Sequence, residues 1–199
     1  PSAWYHIVVA VDTTQATASN RAKIYVNGSQ VTSFSTAVYP TQNSIFKMVA
    51  SGNTGSIGRY YDGTSYYFDG YLADINFIDG QALSPTAFGK YSDTTGVWIP
   101  ASYTGTYGTN GFKLNFSNGT STTTLGYDSS GNSNNWTTNN ISLTAGSTYD
   151  WMIDSPTSFA GSSYGVGNYA VLNPLSSNAT VSNGNLRSSG TTGPLRSNS

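Results

Sequence analysis

Cysteine and glutamate are both absent from this 199-residue chain, and histidine occurs once, as His6. The first absence removes disulfides, thiolate metal sites and cysteine nucleophiles together. The second leaves aspartate as the only side-chain carboxylate, and any triad or imidazole-bound metal would have to recruit His6. Charge is scarce as well: eight basic and nine acidic residues give a net charge of -1. Eight dispersed cations make no electrostatic footprint for nucleic acid. The longest strictly apolar run, Ile7-Val8-Val9-Ala10-Val11, falls far short of the ~20 residues of a membrane span. Neither a signal peptide nor an initiating Met is present, which reads as a fragment or a processed product. The lack of cysteine leaves the compartment open, because a domain of this size can bury a core without disulfides.

What is present is small, polar and aromatic. Ser (30), Thr (26), Gly (22) and Asn (19) fill 97 of the 199 positions, and 14% of residues are aromatic, 15 of them Tyr. Such a chain is poor in helix formers and rich in strand and turn residues, so the expected fold class is all-β. Trp4 to Val11 reads as a buried strand ending in the turn-prone stretch Asp12 to Asn20. Lys23 to Val31 reads as a hairpin around Asn27-Gly28. Phe68 to Asp79 gives a longer strand region. Ser84-Pro85 marks a short helix of about one turn, ended by Gly89. Gly111 to Ser117 gives a last clear strand with Phe112, Leu114 and Phe116 on one face. Trp4, Ile7, Val9, Tyr25, Phe77 and Phe112 are the expected core.

After residue 117 the composition shifts. Residues 118–157 read as an Asn/Ser/Thr/Gly-rich connecting segment, and residues 158–199 as an extended arm or the truncated start of a second β domain. From Ser155 onward, 27 of 45 residues are Ser, Thr, Asn or Gly. So few apolar anchors cannot offset backbone ordering at roughly 1–2 kcal/mol per residue. The arm is therefore expected to lie on another surface.

Candidate chemistry is thin. The aspartate pairs Asp62/Asp69 and Asp74/Asp79 are the available carboxylate couples for glycoside hydrolysis, but three of the four precede Gly or sit in turns, where Asp is ordinarily structural. His6 lies in an apolar strand and reads as a packed or edge-facing residue. Asp128, Ser130, Asn132 and Asn134 alternate as calcium ligands do. Yet only one is charged, Gly131 stands at the fourth place rather than the sixth, and no bidentate Glu closes the loop, so Asx-turns are favoured. No metal and no cofactor are expected. The most suggestive stretch is Tyr60-Tyr61-Asp62-Gly63-Thr64-Ser65-Tyr66-Tyr67. Its tyrosines either form a rigid, amphipathic binding rim or pack on the sheet and line a subunit contact, and the sequence does not separate the two.

The series Trp4-Tyr5-His6-Ile7-Val8-Val9, Ile24-Tyr25-Val26-Asn27-Gly28, Ile57-Gly58 and Phe68 to Asp74 resembles the second half of a laminin G-like, concanavalin A-like jelly roll. Its continuation, Asp74 to Leu83, Gly108 to Phe112 and Leu125 to Trp136, resembles virion structural proteins of tailed bacteriophages. Leu172-Asn173-Pro174-Leu175 and Leu186 are similar to the entry of a SPRY-like domain. The resemblance implies an antiparallel jelly-roll β-sandwich over residues 1–117, with further strands ahead of Trp4 in such proteins. It also implies a non-enzymatic virion component of fibre, tail-fibre or head-decoration type, located on the extracellular particle. Its partners would be other virion proteins or copies of itself, in a homo-oligomer, with host-surface glycans as a further ligand. The ligand residues of this reading are Tyr60, Tyr61, Asp62, Tyr66 and Tyr67. A secreted lectin or adhesion domain is the rival reading, and a polysaccharide depolymerase comes third because glutamate is missing.

Overall fold

The computed structural model describes residues 4–45, 55–60, 66–144 and 150–151, together with four short strands at 171–172, 180–182, 187–189 and 197–198. Two compact units divide the chain: Pro1–Leu72 with Ile78–Asn110, and Ala73–Phe77 with Gly111–Ser199. The chain is all-β, and every strand pair among the described residues is antiparallel.

In the first unit, β1 (Ile7–Val11) pairs with β2 (Ala22–Val26), which turns back into β3 (Ser29–Gln30). The turn is the one expected from Asn27-Gly28. Both residues take positive φ, 48° and 80°, the combination that a two-residue hairpin loop requires. The register places Val8 opposite Tyr25 and Ala10 opposite Lys23 on one face, with Ile7, Val9 and Val11 opposite Val26, Ile24 and Ala22 on the other. Val8 is the buried residue of the strand, while Ile7 and Val9 are 62% and 60% exposed.

This corrects three of the expected core residues. Ile7 and Val9 lie on the open face, Trp4 is exposed as well, and Tyr25 shares a face with Val8 rather than with them. An uninterrupted apolar run carries no alternation, so its sequence cannot say which face turns inward, and a one-residue error flips every side chain.

Further along, β5 (Gly89–Tyr91) pairs with β6 (Trp98–Pro100). A 3-10 turn, Pro85–Ala87, precedes β5, so the single turn after Ser84-Pro85 is present; Gly89 opens a strand instead of capping a helix. Trp98 is the hub. Its indole edge lies against Gly28 and Gly89, where a Cβ would strike the ring. It meets Tyr91 edge-on with centroids 5.0 Å apart, and its Nε1–H donates to His6 Nδ1 at 3.0 Å.

In the second unit, β4 (Ile75–Phe77) pairs with β7 (Phe112–Leu114). Phe112 and Leu114 are 3% and 2% exposed, as the parity of the sequence implies, and Leu125 from the one-turn helix α1 (Thr122–Leu125) is 4% exposed. Phe112 stacks on Phe77 at 5.5 Å and tilts against Trp136 at 4.9 Å. The strand expected over Phe68–Asp79 contracts to Ile75–Phe77, because Asp74 takes a φ of +47° that extended backbone cannot accommodate. Phe116, at φ +53°, lies beyond the end of β7 for the same reason. Helix α1 was not expected. Ser121 and Thr124 form a reciprocal capping box that reads in sequence as four undistinguished hydroxyl residues.

In the C-terminal part, β8 (Val171–Leu172) pairs with β11 (Ser197–Asn198), and β9 (Thr180–Ser182) pairs with β10 (Arg187–Ser189). The rest of the expected arm lies outside the described residues.

Truncating Phe112 to Ala should therefore cost about 3–5 kcal/mol in urea unfolding. Val9→Ser, on the open face, should stay within about 0.5 kcal/mol of the parent protein.

Candidate functional site

Five residues were candidates for a ligand rim, and the structure describes three of them. Tyr61 and Asp62 lie outside the described residues. Arg59 and Tyr67 form an antiparallel bridge, Tyr60 N–H donates to the Tyr66 carbonyl at 3.2 Å, and Phe68 N–H donates to the Gly58 carbonyl at 2.8 Å. These bonds pair Gly58–Tyr60 with Tyr66–Phe68 in antiparallel fashion. Tyr60, Tyr66 and Tyr67 are 50%, 80% and 67% exposed. Tyr60 and Tyr66 meet edge to face at 5.9 Å, which holds two amphipathic rings at a fixed angle. Tyr66 reaches its position through a φ of +59°, a conformation that costs a non-glycine residue energy. These exposed tyrosines are presented outward.

Several of the remaining candidates are committed to structure. His6 accepts from Trp98 at Nδ1, its backbone N–H donates to Asn27 Oδ1 at 2.9 Å, and its carbonyl accepts from Asn27 N–H at 2.8 Å. Burial holds its pKa below the usual 6.5. Asp79 Oδ2 accepts from the backbone N–H and the Nδ2 of Asn110, at 3.1 and 2.8 Å, closing the turn that Asp79-Gly80 announces. Asp12 accepts from the Thr14 hydroxyl and the Gln15 amide, then from Thr14 N–H, and these bonds lower its pKa. Asp74 differs from the others: both of its carboxylate oxygens are buried without a hydrogen-bond partner.

The Asp128 loop is an Asx network. The carboxylate accepts from Lys113 N–H (2.8 Å), Ser130 N–H (2.8 Å), the Ser130 hydroxyl (2.9 Å) and Asn134 N–H (2.9 Å). Desolvation pushes its pKa up, but these four donors together hold it below the normal carboxylate range. Asn132 and Asn134 each donate from Nδ2 to the Gly111 carbonyl at 2.9 Å. The alternating polar residues thus turn inward on the start of β7. Among the described residues no group of three or more His, Cys, Asp or Glu side chains could hold a metal ion.

Residues 1–88 match the family model described as Concanavalin A-like lectin/glucanases superfamily. That stretch carries β1 to β3, the exposed Tyr60, Tyr66 and Tyr67, and β4. No curated protein and no solved structure matches the chain.

Two measurable consequences follow from the committed side chains. His6 can accept from Trp98 only while its Nδ1 is unprotonated, and its folded pKa lies below 6.5. The unfolded chain then binds the proton more readily, so stability is complete above about pH 6.5 and declines as pH falls through the folded pKa. A series of melts from pH 7.5 to 5 should show that decline, and His6→Gln should flatten it. Asp128→Ala orphans four donors and should cost about 1–3 kcal/mol in urea unfolding, with the loss persisting in EDTA.

Proposed function

We propose that this protein is a non-enzymatic virion component whose lectin-like β-sandwich is displayed on a phage particle, with the exposed Tyr60, Tyr66 and Tyr67 as its contact surface for host carbohydrate. The observation that carries the binding role is the outward presentation of Tyr60, Tyr66 and Tyr67 on paired, hydrogen-bonded segments. A sugar ring presents apolar C–H faces and a hydroxyl rim. An exposed tyrosine offers a flat apolar ring beside a hydroxyl that donates and accepts, at little rotamer cost. The likeness of residues 1–88 to lectins and glucanases supports a carbohydrate ligand. The particle setting rests on the resemblance of Asp74 to Leu83, Gly108 to Phe112 and Leu125 to Trp136 to phage virion proteins.

Non-enzymatic action is the reading that best fits the residues. Inverting or retaining hydrolysis needs two carboxylates facing one bond. Here Asp12 accepts from Thr14 and Gln15, Asp79 Oδ2 accepts from Asn110, and Asp128 accepts from its own loop and from Lys113 N–H on β7. His6 is likewise spent on Trp98. On the particle, the partners would be other virion proteins and further copies of this chain.

The test pairs a glycan array with virion fractionation. The chain should sediment with particles and retain glycans on the array. Tyr66→Ala and Tyr67→Ala should each weaken glycan retention about tenfold, equivalent to roughly 1.4 kcal/mol. Glycan binding by a chain absent from particles would favour a free lectin. Release of reducing ends from polysaccharide would establish a depolymerase and overturn the reading.

A further inference from the structure

Lys23 is one of four lysines in the chain, and it sits half-buried at the end of β2 away from the Asn27-Gly28 turn. Among the described residues no carboxylate and no hydrogen-bond acceptor meets its ammonium group; the ion pair of Lys90 with Asp93 lies elsewhere. A lysine stem can pack along a wall while its ammonium stays open to an incoming anion.

Lys23 lines a groove of about 230 Å³ with Asn20, Gln30, Thr32, Phe34 and Tyr39. That volume lies below the ~300–1,000 Å³ of sites for drug-sized ligands, so it suits one small ring and not a chain of them. The chemistry of the wall is mixed in a particular way. One cation, two amides and the Ser19 and Thr32 hydroxyls are interleaved with two aromatic rings, of which Phe34 is 42% exposed.

The loop that carries Phe34 and Tyr39 is anchored close to the groove. Arg21 donates from Nη1 to the Pro40 carbonyl at 3.0 Å, and from Nε and Nη2 to the Gln15 and Ala16 carbonyls at 2.8 Å each. Asn43 N–H reaches the Thr13 carbonyl, and the Thr13 hydroxyl reaches the Ser44 carbonyl, both at 2.8 Å. Arg21 thus spends its guanidinium on holding the wall, which leaves Lys23 as the cation able to meet a ligand. Fixing the wall beforehand lowers the ordering cost of binding.

We infer that this groove binds a single carboxylate-bearing sugar residue, a uronate, with its carboxylate on Lys23, its ring face against Phe34 and Tyr39, and its hydroxyls on Asn20 and Gln30. A neutral hexose would leave Lys23 unanswered, and a bare carboxylate would leave the aromatic pair unused. The groove does not include Tyr60, Tyr66 or Tyr67 and stands whether or not those residues bind glycans.

The experiment is an NMR-monitored titration of the whole chain with galacturonate, glucuronate, galactose and acetate, each to tens of millimolar. One of the uronates should bind saturably, shifting resonances of Lys23, Gln30 and Phe34, with galactose and acetate at least tenfold weaker. Lys23→Gln should weaken the uronate at least tenfold at an unchanged melting temperature, whereas Lys23→Arg should keep the preference for uronate over galactose. Phe34→Ala should weaken the uronate and leave acetate as it was. Equal affinity for galactose, equal affinity for acetate, undiminished binding by Lys23→Gln, or no saturable uronate binding would each overturn the assignment.

Discussion

Four hydrogen bonds converging on the Asp128 carboxylate organise the loops of the second unit. They tie β7 to the loop after α1, and Asn132 and Asn134 return to the Gly111 carbonyl at the start of the same strand. With Phe112 thereby fixed, Phe77 and Trp136 have a surface to pack on. The dependence runs from polar to apolar because large buried side chains are few: among the described residues, Val8, Phe112, Leu114 and Leu125 are the buried hydrophobic ones. A chain so rich in Ser, Thr, Asn and Gly cannot define its loops by packing alone. It defines them by side chains that satisfy backbone donors and acceptors.

The first unit meets the same constraint with one large ring. Trp98 occupies space that exists because residues 28 and 89 lack a Cβ, and its indole N–H orients the imidazole of His6. The consequence is functional as well as structural. The one imidazole in the chain acts as an acceptor within a packed cluster, which removes it from proton transfer at an open site. Chemistry at the surface of this unit is left to tyrosines, amides, hydroxyls and a few cations, a set suited to recognition.

Much of this was legible from local signals. Asn27-Gly28 specifies its turn through the two positive φ angles it tolerates. Phe112 and Leu114 alternate with polar neighbours and so declare their face. Asp128, Ser130, Asn132 and Asn134 read correctly as Asx chemistry because the glycine and the closing carboxylate of a calcium loop are missing. What sequence did not carry was tertiary. The inward face of β1 is set by what lies over Val8, since five consecutive apolar residues are equivalent until something covers one side. Trp98 gains its role from glycines 70 and 9 positions away. The capping box of α1 is built from serine and threonine in a stretch already crowded with them. Lys23 carries no motif, and its groove exists because Arg21 and Thr13 hold a loop beside it.

The near-neutral composition would separate the two kinds of recognition proposed for this molecule. Stacking against Tyr66 and Tyr67 with neutral hydrogen bonding involves no net charge, so ions in solution have little to screen. A carboxylate on Lys23 is a charge pair at a partly exposed site, and a Debye length of about 8 Å at physiological ionic strength attenuates the approach of such ligands while sparing the contact itself. With eight basic and nine acidic residues in the whole chain, long-range steering is weak for either ligand class. Selectivity must then arise at contact distance, from rings held at fixed angles and from donors already aimed. The dense side-chain-to-backbone bonding supplies that fixity, which is why a molecule with so little core can still present ordered surfaces.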